Sequence, residues 1–325
     1  MKKLMFAFVS ALTLSLGAFA AEAAGALEKA QPPGETAQVA EEPEVEVEEE
    51  ESSFFSCGVD LDLFSAYIWR NAVMHDELVF QPAVWAEFNV NDWFRIGAYV
   101  WQNWDMTTYR RQTAGVPMVM NETDYGVYIG RSLWESDDGE YVLDLEIGNE
   151  FFTYRQIEDC PNSYEFYIKL RFDNPFVGVY GQYSQAYNPV VAPYFELGLN
   201  KEINIGEAFG SESDFLNRWT VGAEWSLSFA SGKYFTNYLY GSLPQGEYDP
   251  ELEEYEDERN MSNGIGGTTL KGVVAYQVCD HFSLGLMIAY TAALSGEAIE
   301  AINYAENGNL YKRLVWGGIQ AKLDF

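Results

Sequence analysis

The sequence predicts an all-β fold: a transmembrane, antiparallel up-and-down barrel of about twelve strands. Three observations carry that prediction. From Phe54 onward the chain repeats segments of about ten residues in which apolar and polar side chains alternate between turn residues, which puts the two sets on opposite faces of a strand. The final segment, Leu310–Phe325, keeps this rhythm to its last residue. Val315, Ile319, Ala321, Leu323 and Phe325 share one face, and Gly318, Gln320, Lys322 and Asp324 share the other. Mean hydropathy is −0.19 although aromatics make up 16% of residues. Barrel strands hide their lipid face in alternation, so a low average and many aromatics are expected together.

Taken in order, residues 1–20 read as a secretory signal peptide. Lys2 and Lys3 precede an apolar run from Leu4 to Leu16, followed by Ala-x-Ala at Ala18–Ala20. Residues 21–53 hold no aromatic, are interrupted by Pro32, Pro33 and Pro43, and are dominated by Glu. They bury too little apolar surface to offset the entropy of ordering, so they read as a disordered acidic periplasmic leader. Residues 54–325 are the barrel. Its first three strands are Gly58–Trp69, Val79–Val90 and Trp93–Trp104. Thr123–Leu133, Tyr141–Thr153, Tyr164–Phe172 and Phe176–Tyr183 follow, then Ala192–Lys201, Trp219–Phe229, Thr268–Val278, Phe282–Ala292 and the closing segment.

Asn91–Asp92, Asp138–Gly139, Asp173–Asn174–Pro175 and Cys279–Asp280–His281 are tight turns. Asp105–Glu122, Ala230–Gly267 and Ala293–Asn309 are long connections. An even strand count returns the chain to its starting side, so the short turns face the periplasm and most long connections face outward. Glu202–Asn217 is the exception, a longer periplasmic link. Trp69, Trp93, Trp101, Trp104, Tyr141, Phe172, Trp219 and Phe229 fall near strand ends and read as membrane girdles.

Alternation also nominates the residues facing the enclosed interior. The acidic set is Asp60, Asp62, Glu87, Asp124, Asp144, Glu146, Glu165, Glu196 and Glu224; the basic set is Arg95, Lys169, Arg171, Lys271 and Lys322. If a path is open, this excess of carboxylates attracts cations and repels anions. If the charges pair throughout, the barrel is closed around a polar core. Eight strands are filled by their own side chains and sixteen or more hold a channel, so about twelve lies between. A net charge of −31 argues against nucleic-acid partners. It argues against anionic lipid surfaces too, and favours cations or basic partners. The barrel fold itself implies outer-membrane lipid around the wall and small polar or cationic solutes within it.

Cys57, Cys160 and Cys279 are too few for a disulfide framework, although Cys57 and Cys279 both fall near the periplasmic rim and can meet there. The only histidines, His75 and His281, are placed on opposite sides of the membrane, and no HExxH, GxSxG or P-loop is present. The sequence therefore points to no enzyme, metal or cofactor. Glu247–Glu258 is acidic but lacks the spacing and glycine of a calcium loop.

Two further segments carry a resemblance. Ser65–Pro82 (SAYIWRNAVMHDELVFQP) and Ala192–Leu199 (APYFELGL) resemble a widespread group of bacterial outer-membrane β-barrel proteins classed by prediction as porins. That group has an S-x-Y-x-W-R-G first hairpin, a Gln-Pro on the next strand and a G-T-Y-F-E-L-G-like strand later. Ser65, Tyr67, Trp69, Arg70, Gln81 and Pro82 match the first pattern, and Tyr194, Phe195, Glu196, Leu197 and Gly198 match the second. Asn71 replaces the hairpin glycine, which Asn tolerates because it accepts left-handed backbone. The terminal aromatic strand ending at Phe325 resembles the closing strand that the barrel-assembly machinery recognises in outer-membrane barrels. These resemblances imply an outer-membrane location. The acid-rich interior, if open, makes the expected function a narrow, cation-favouring passive pore for small polar solutes. The alternative is a closed structural barrel whose loops bind a partner. Arg70 is expected either to turn into the lumen toward Asp60, Asp62, Glu87 or Glu196, or to fix its loop by ion pairing.

Overall fold

A computed structural model of the chain describes residues 54–91, 94–107, 118–154, 162–188, 190–234, 248–249, 254–255, 263–294 and 313–325. Residues 1–53, where a signal peptide and an acidic leader are expected, together with Trp93, Cys160, 295–312 and most of 235–262, lie outside the described residues. The strands are β1 (Phe55–Phe64), β2 (Tyr67–Trp69), β3 (Ala72–His75), β4 (Val79–Asn91), β5 (Phe94–Asp105), β6 (Val119–Glu135), β7 (Val142–Tyr154), β8 (Ser163–Asp173), β9 (Gly178–Asn188) and β10 (Ala192–Asn204). Two short helices, α1 (Ile205–Ala208) and α2 (Asp214–Asn217), lead to β11 (Trp219–Ala230) and the single turn α3 (Gly232–Tyr234). A minimal hairpin, β12 (Tyr248–Asp249) with β13 (Glu254–Tyr255), precedes β14 (Gly264–Cys279), β15 (Phe282–Ala293) and β16 (Arg313–Asp324).

Twelve of these strands close a barrel in the order β1-β16-β15-β14-β11-β10-β9-β8-β7-β6-β5-β4. Every neighbouring pair is antiparallel, and the seam runs from Gly58↔Asp324 to Phe64↔Gly318. Phe325 extends that seam by one residue. The Cys57 N–H donates to its carbonyl (3.0 Å) and its own N–H donates to the Cys57 carbonyl (2.8 Å). Closure leaves none of these twelve wall strands with a free edge to template association.

The outer face is apolar along its length. Leu286, Ile288 and Val315 are each more than 60% exposed, and Phe88, Ile129, Leu170, Leu197, Leu270 and Ile319 continue the belt around the wall. Among the described residues no helix is long and apolar enough to cross a membrane. Short turns gather at the end that holds Phe325, which we term the turn end. There the Asn174 amide oxygen accepts the Phe176 and Val177 N–H groups at 3.0 and 3.1 Å. That side-chain turn holds Phe176 out of the sheet, so the strand expected at Phe176–Tyr183 runs instead from Gly178 to Asn188. The longer link there is closed by Asn204, which accepts the Glu207 N–H (3.2 Å) and donates to the Asn217 carbonyl (2.6 Å).

The first strand departs most from expectation. It leaves the wall at Phe64 rather than continuing to Trp69, and β2 and β3 form a separate hairpin. Cys57 and Cys279 are both free thiols, so the pairing considered for them does not form.

Candidate functional site

The interior is built on one repeated device: a glycine on one strand is covered by an aromatic ring from its neighbour. Tyr99 lies over Gly126, Tyr128 over Gly97, Tyr167 over Gly148, Tyr180 over Gly198 and Trp85 over Gly58. A side chain at these glycines would occupy the ring's place, and the rings stiffen an otherwise weak strand position. The tyrosine hydroxyls then reach carboxylates. Tyr99 donates to Glu150 (2.5 Å), Tyr128 to Glu87 (2.7 Å), Tyr167 to Glu146 (2.8 Å) and Tyr180 to Glu196 (2.9 Å).

Ionic groups fill the spaces between. Arg95 lies among Glu87 (3.4 Å), Asp144 (3.6 Å) and Glu146 (3.7 Å), and Arg171 pairs with Asp144 (3.4 Å) and Asp173 (2.7 Å). Lys271 pairs with Glu224 (3.2 Å) on the facing wall, and the Lys169 ammonium, on the same strand as Arg171, sits 5.2 Å from the Tyr180 ring centre. Asp60 and Asp62 stand opposite Lys322 and Gln320 across the seam. Asp124 and Glu165 are buried.

The hairpin Tyr67–His75 folds into this interior. Its tip is Arg70–Asn71, both left-handed at φ 50° and 63°, the geometry a two-residue type I′ turn demands. Left-handed backbone at a non-glycine residue costs about 1–2 kcal/mol, so tertiary contacts must hold Arg70 there. Its guanidinium pairs with Glu165 (2.5 Å) and Glu150 (3.3 Å) and donates to the Tyr234 hydroxyl (2.5 Å). It also lies 4.5 Å from the Tyr194 ring centre, which adds a cation–π attraction. Tyr234 in turn donates to Glu165 (2.7 Å). Beside it, the Ser226 hydroxyl donates to the Asn71 side-chain oxygen (2.8 Å).

Arg70 therefore reaches none of Asp60, Asp62, Glu87 and Glu196; of the two alternatives the sequence offered, it takes the second and fixes its hairpin by ion pairing, with Glu165 and Glu150 as partners. The hairpin starts from β1, crosses the barrel and meets the far wall at β7, β8, β10 and β11, so carboxylates near its own base are behind it. Glu196 is instead taken by the Tyr194 hydroxyl (2.7 Å) as well as Tyr180. Trp69 and Trp101 are not girdle residues either. Trp69 packs on Phe152 and Tyr234, and Trp101 packs on Tyr67, all inside the barrel. Gln81 donates to Asn103 (2.8 Å) in the same interior. Trp101 follows the outward Val100, so alternation alone places it inward.

The hairpin organises two apolar clusters within the lumen. One joins Ala72, Ala186, Ala192, Tyr194, Ala230 and Tyr234; the other joins Phe64, Ala66, Tyr67, Val79, Met287, Ala289 and Trp316. Among the described residues, two cavities beside these clusters share Ile68, Trp69, Gln81 and Glu150. The larger, about 1200 Å³, runs from the hairpin to the turn end past Asp62, Glu196, Glu224 and Lys271 to Lys322 and Asp324. The smaller, about 530 Å³, lies on the β4–β7 side. The sequence does not nominate Glu122, which it places in the connection Asp105–Glu122 although the strand begins at Val119, or Glu150, which lies where the apolar alternation of its strand breaks down.

His281 sits in a turn-end loop, its Nδ1 2.9 Å from the Asp324 carbonyl and its ring stacked on Phe325. His75 lies in β3.

No family model matches the chain, and no curated protein matches it. Among solved structures, the KdgM porin is 9% identical with a TM-score of 0.40, covering 83% of this chain and 99% of that one. An outer-membrane channel from Pseudomonas putida F1 is 6% identical with a TM-score of 0.44, covering 87% and 100%. The outer membrane phospholipase A from Escherichia coli is 12% identical with a TM-score of 0.41, covering 82% and 89%.

Proposed function

We propose that this chain is an outer-membrane barrel acting as a narrow, cation-favouring passive pore for small polar solutes, constricted by its inward-folded first hairpin. The observation that carries the reading is the large polar cavity running from the hairpin to the turn end. It is lined by more carboxylates than cations inside a wall whose outer face is apolar. Such an outer face suits lipid and not water, and an acid-rich lumen concentrates cations. The short turns and Phe325 face the periplasm in this reading, and the barrel-assembly machinery receives the terminal strand.

Planar-bilayer recording tests it. The purified protein is expected to give small discrete conductance steps with a cation-selective reversal potential. Asp62→Asn with Glu196→Gln, both on the large cavity, is expected to lower the cation-to-anion permeability ratio several-fold while leaving the barrel folded. Silent bilayers from folded protein would sink the pore reading.

One observation favours the alternative of a closed barrel that binds a partner through its external loops: the two apolar clusters that pack the hairpin across the lumen. A barrel that stays silent even after the hairpin is released would favour that alternative.

A further inference from the structure

The smaller cavity has a chemistry of its own. Three tryptophans, Trp69, Trp85 and Trp101, line it together with three carboxylates, Asp60, Asp124 and Glu150, and no lysine or arginine is among its described lining residues. Two of those carboxylates are accounted for: Asp60 stands opposite Lys322, and Glu150 takes Arg70 and the Tyr99 hydroxyl. Asp124 is not. It makes no ion pair among the described residues, and its Oδ1 has no hydrogen-bond partner although the residue is only 7% exposed. The carboxyl's other contact is a hydrogen bond with Glu122, so the two buried acids share one proton and carry one negative charge between them; Glu122 also takes the Tyr67 hydroxyl.

An orphaned buried carboxylate oxygen is costly to leave unmet. The tyrosines nearby do not meet it, since the hydroxyls of Tyr67, Tyr99 and Tyr128 are committed to Glu122, Glu150 and Glu87. What they and the tryptophans offer the cavity is ring surface. A bare metal ion needs several oxygens at once, and among the described residues no group of three or more metal-ligating side chains is placed to hold one. A neutral sugar needs several convergent polar groups, and most here are already bonded. Aromatic faces around a negative charge suit a cation with a carbon shell, the recognition mode of aromatic cages.

We propose that this chamber binds a small organic cation of the alkylammonium class, its charged head against Asp124 and its carbon shell against the indole faces. The site deepens the pore reading by naming a class of solute, and rests on that reading for its access route.

The test is titration calorimetry on the full chain, folded in detergent, with choline chloride as the probe. Its neutral isostere 3,3-dimethylbutan-1-ol and glucose serve as comparisons. Choline is expected to bind at one site per chain, with the isostere and glucose at least tenfold weaker. Asp124→Asn is expected to weaken choline binding by about tenfold or more, the loss of one charge-assisted contact. Trp101→Leu weakens it independently and keeps the test readable if the first variant misfolds. No choline heat from folded protein, equal binding of choline and its isostere, tighter binding of glucose, or binding indifferent to both variants each overturns the proposal. Calorimetry in detergent needs no conduction, so a silent bilayer would sink the pore reading while leaving the site to stand or fall on its own.

Discussion

Arg70→Met destabilises the barrel by about 3–5 kcal/mol and raises its single-channel conductance, because it breaks a buried ion pair from one side. Glu165 is fully buried and its only cation is Arg70 among the described residues. Removing the guanidinium leaves an uncompensated carboxylate, a Tyr234 hydroxyl without its donor and a left-handed Met at the tip of a hairpin. Urea unfolding followed by tryptophan fluorescence reads the first effect, and bilayer recording reads the second. Arg70→Lys is not expected to restore either. A single ammonium cannot reach Glu165, Glu150 and Tyr234 together, and it lacks the planar fork that lies over Tyr194. Adding Glu165→Gln to Arg70→Met is expected to recover part of the stability and none of the constriction. An Arg70→Met barrel with unchanged conductance would show that the hairpin is held by its apolar clusters alone.

Gly267→Val displaces the same hairpin without touching its charges. A Cβ at this position would collide with the Asn71 backbone oxygen and approach the Ala292 oxygen to 3.0 Å. Both contacts are backbone, so neither neighbour can rotate away. The glycine is there because the hairpin tip seats directly on β14, a close approach that a side chain forbids. Overpacking of this kind costs about 1–3 kcal/mol, less than losing Arg70. The conductance increase is nonetheless expected to match, since the same segment moves. Trypsin offers an independent readout: Arg70 is enclosed in the native barrel and becomes a cleavage site when the tip lifts. A folded Gly267→Val protein that resists trypsin and conducts as the parent would rule out hairpin seating as the constriction.

The two variants ask for different information from the chain, and that difference marks where sequence reading stops. Tyr67, Trp69 and Arg70 were singled out by their motif, and Asn71 by its tolerance of left-handed backbone. Nothing in their neighbourhood says that they meet Tyr234, which lies 164 residues further along. Gly267 carries no sequence signal at all, because its requirement comes from a backbone that arrives from another part of the fold. The tyrosine–carboxylate contacts were hidden for a related reason. Tyr180 and Glu196 lie on the same inward face of adjacent strands, but only the register Tyr180↔Gly198 brings the hydroxyl onto the carboxylate. Trp101 faces inward by the parity of its neighbours, which nearness to a strand end conceals, whereas Trp69 is inside because its hairpin leaves the wall at Phe64.

By itself the sequence determined the number of wall strands and which side chains share a face. Both follow from a period of two along each strand, a local property that survives without knowing any partner. Only the tertiary structure decided that the first hairpin turns inward, that Arg70 settles on Glu165, and that Asp124 is buried with an unmet oxygen. Those outcomes depend on height and position around a closed wall, and these are set by strand register and closure between segments remote in sequence.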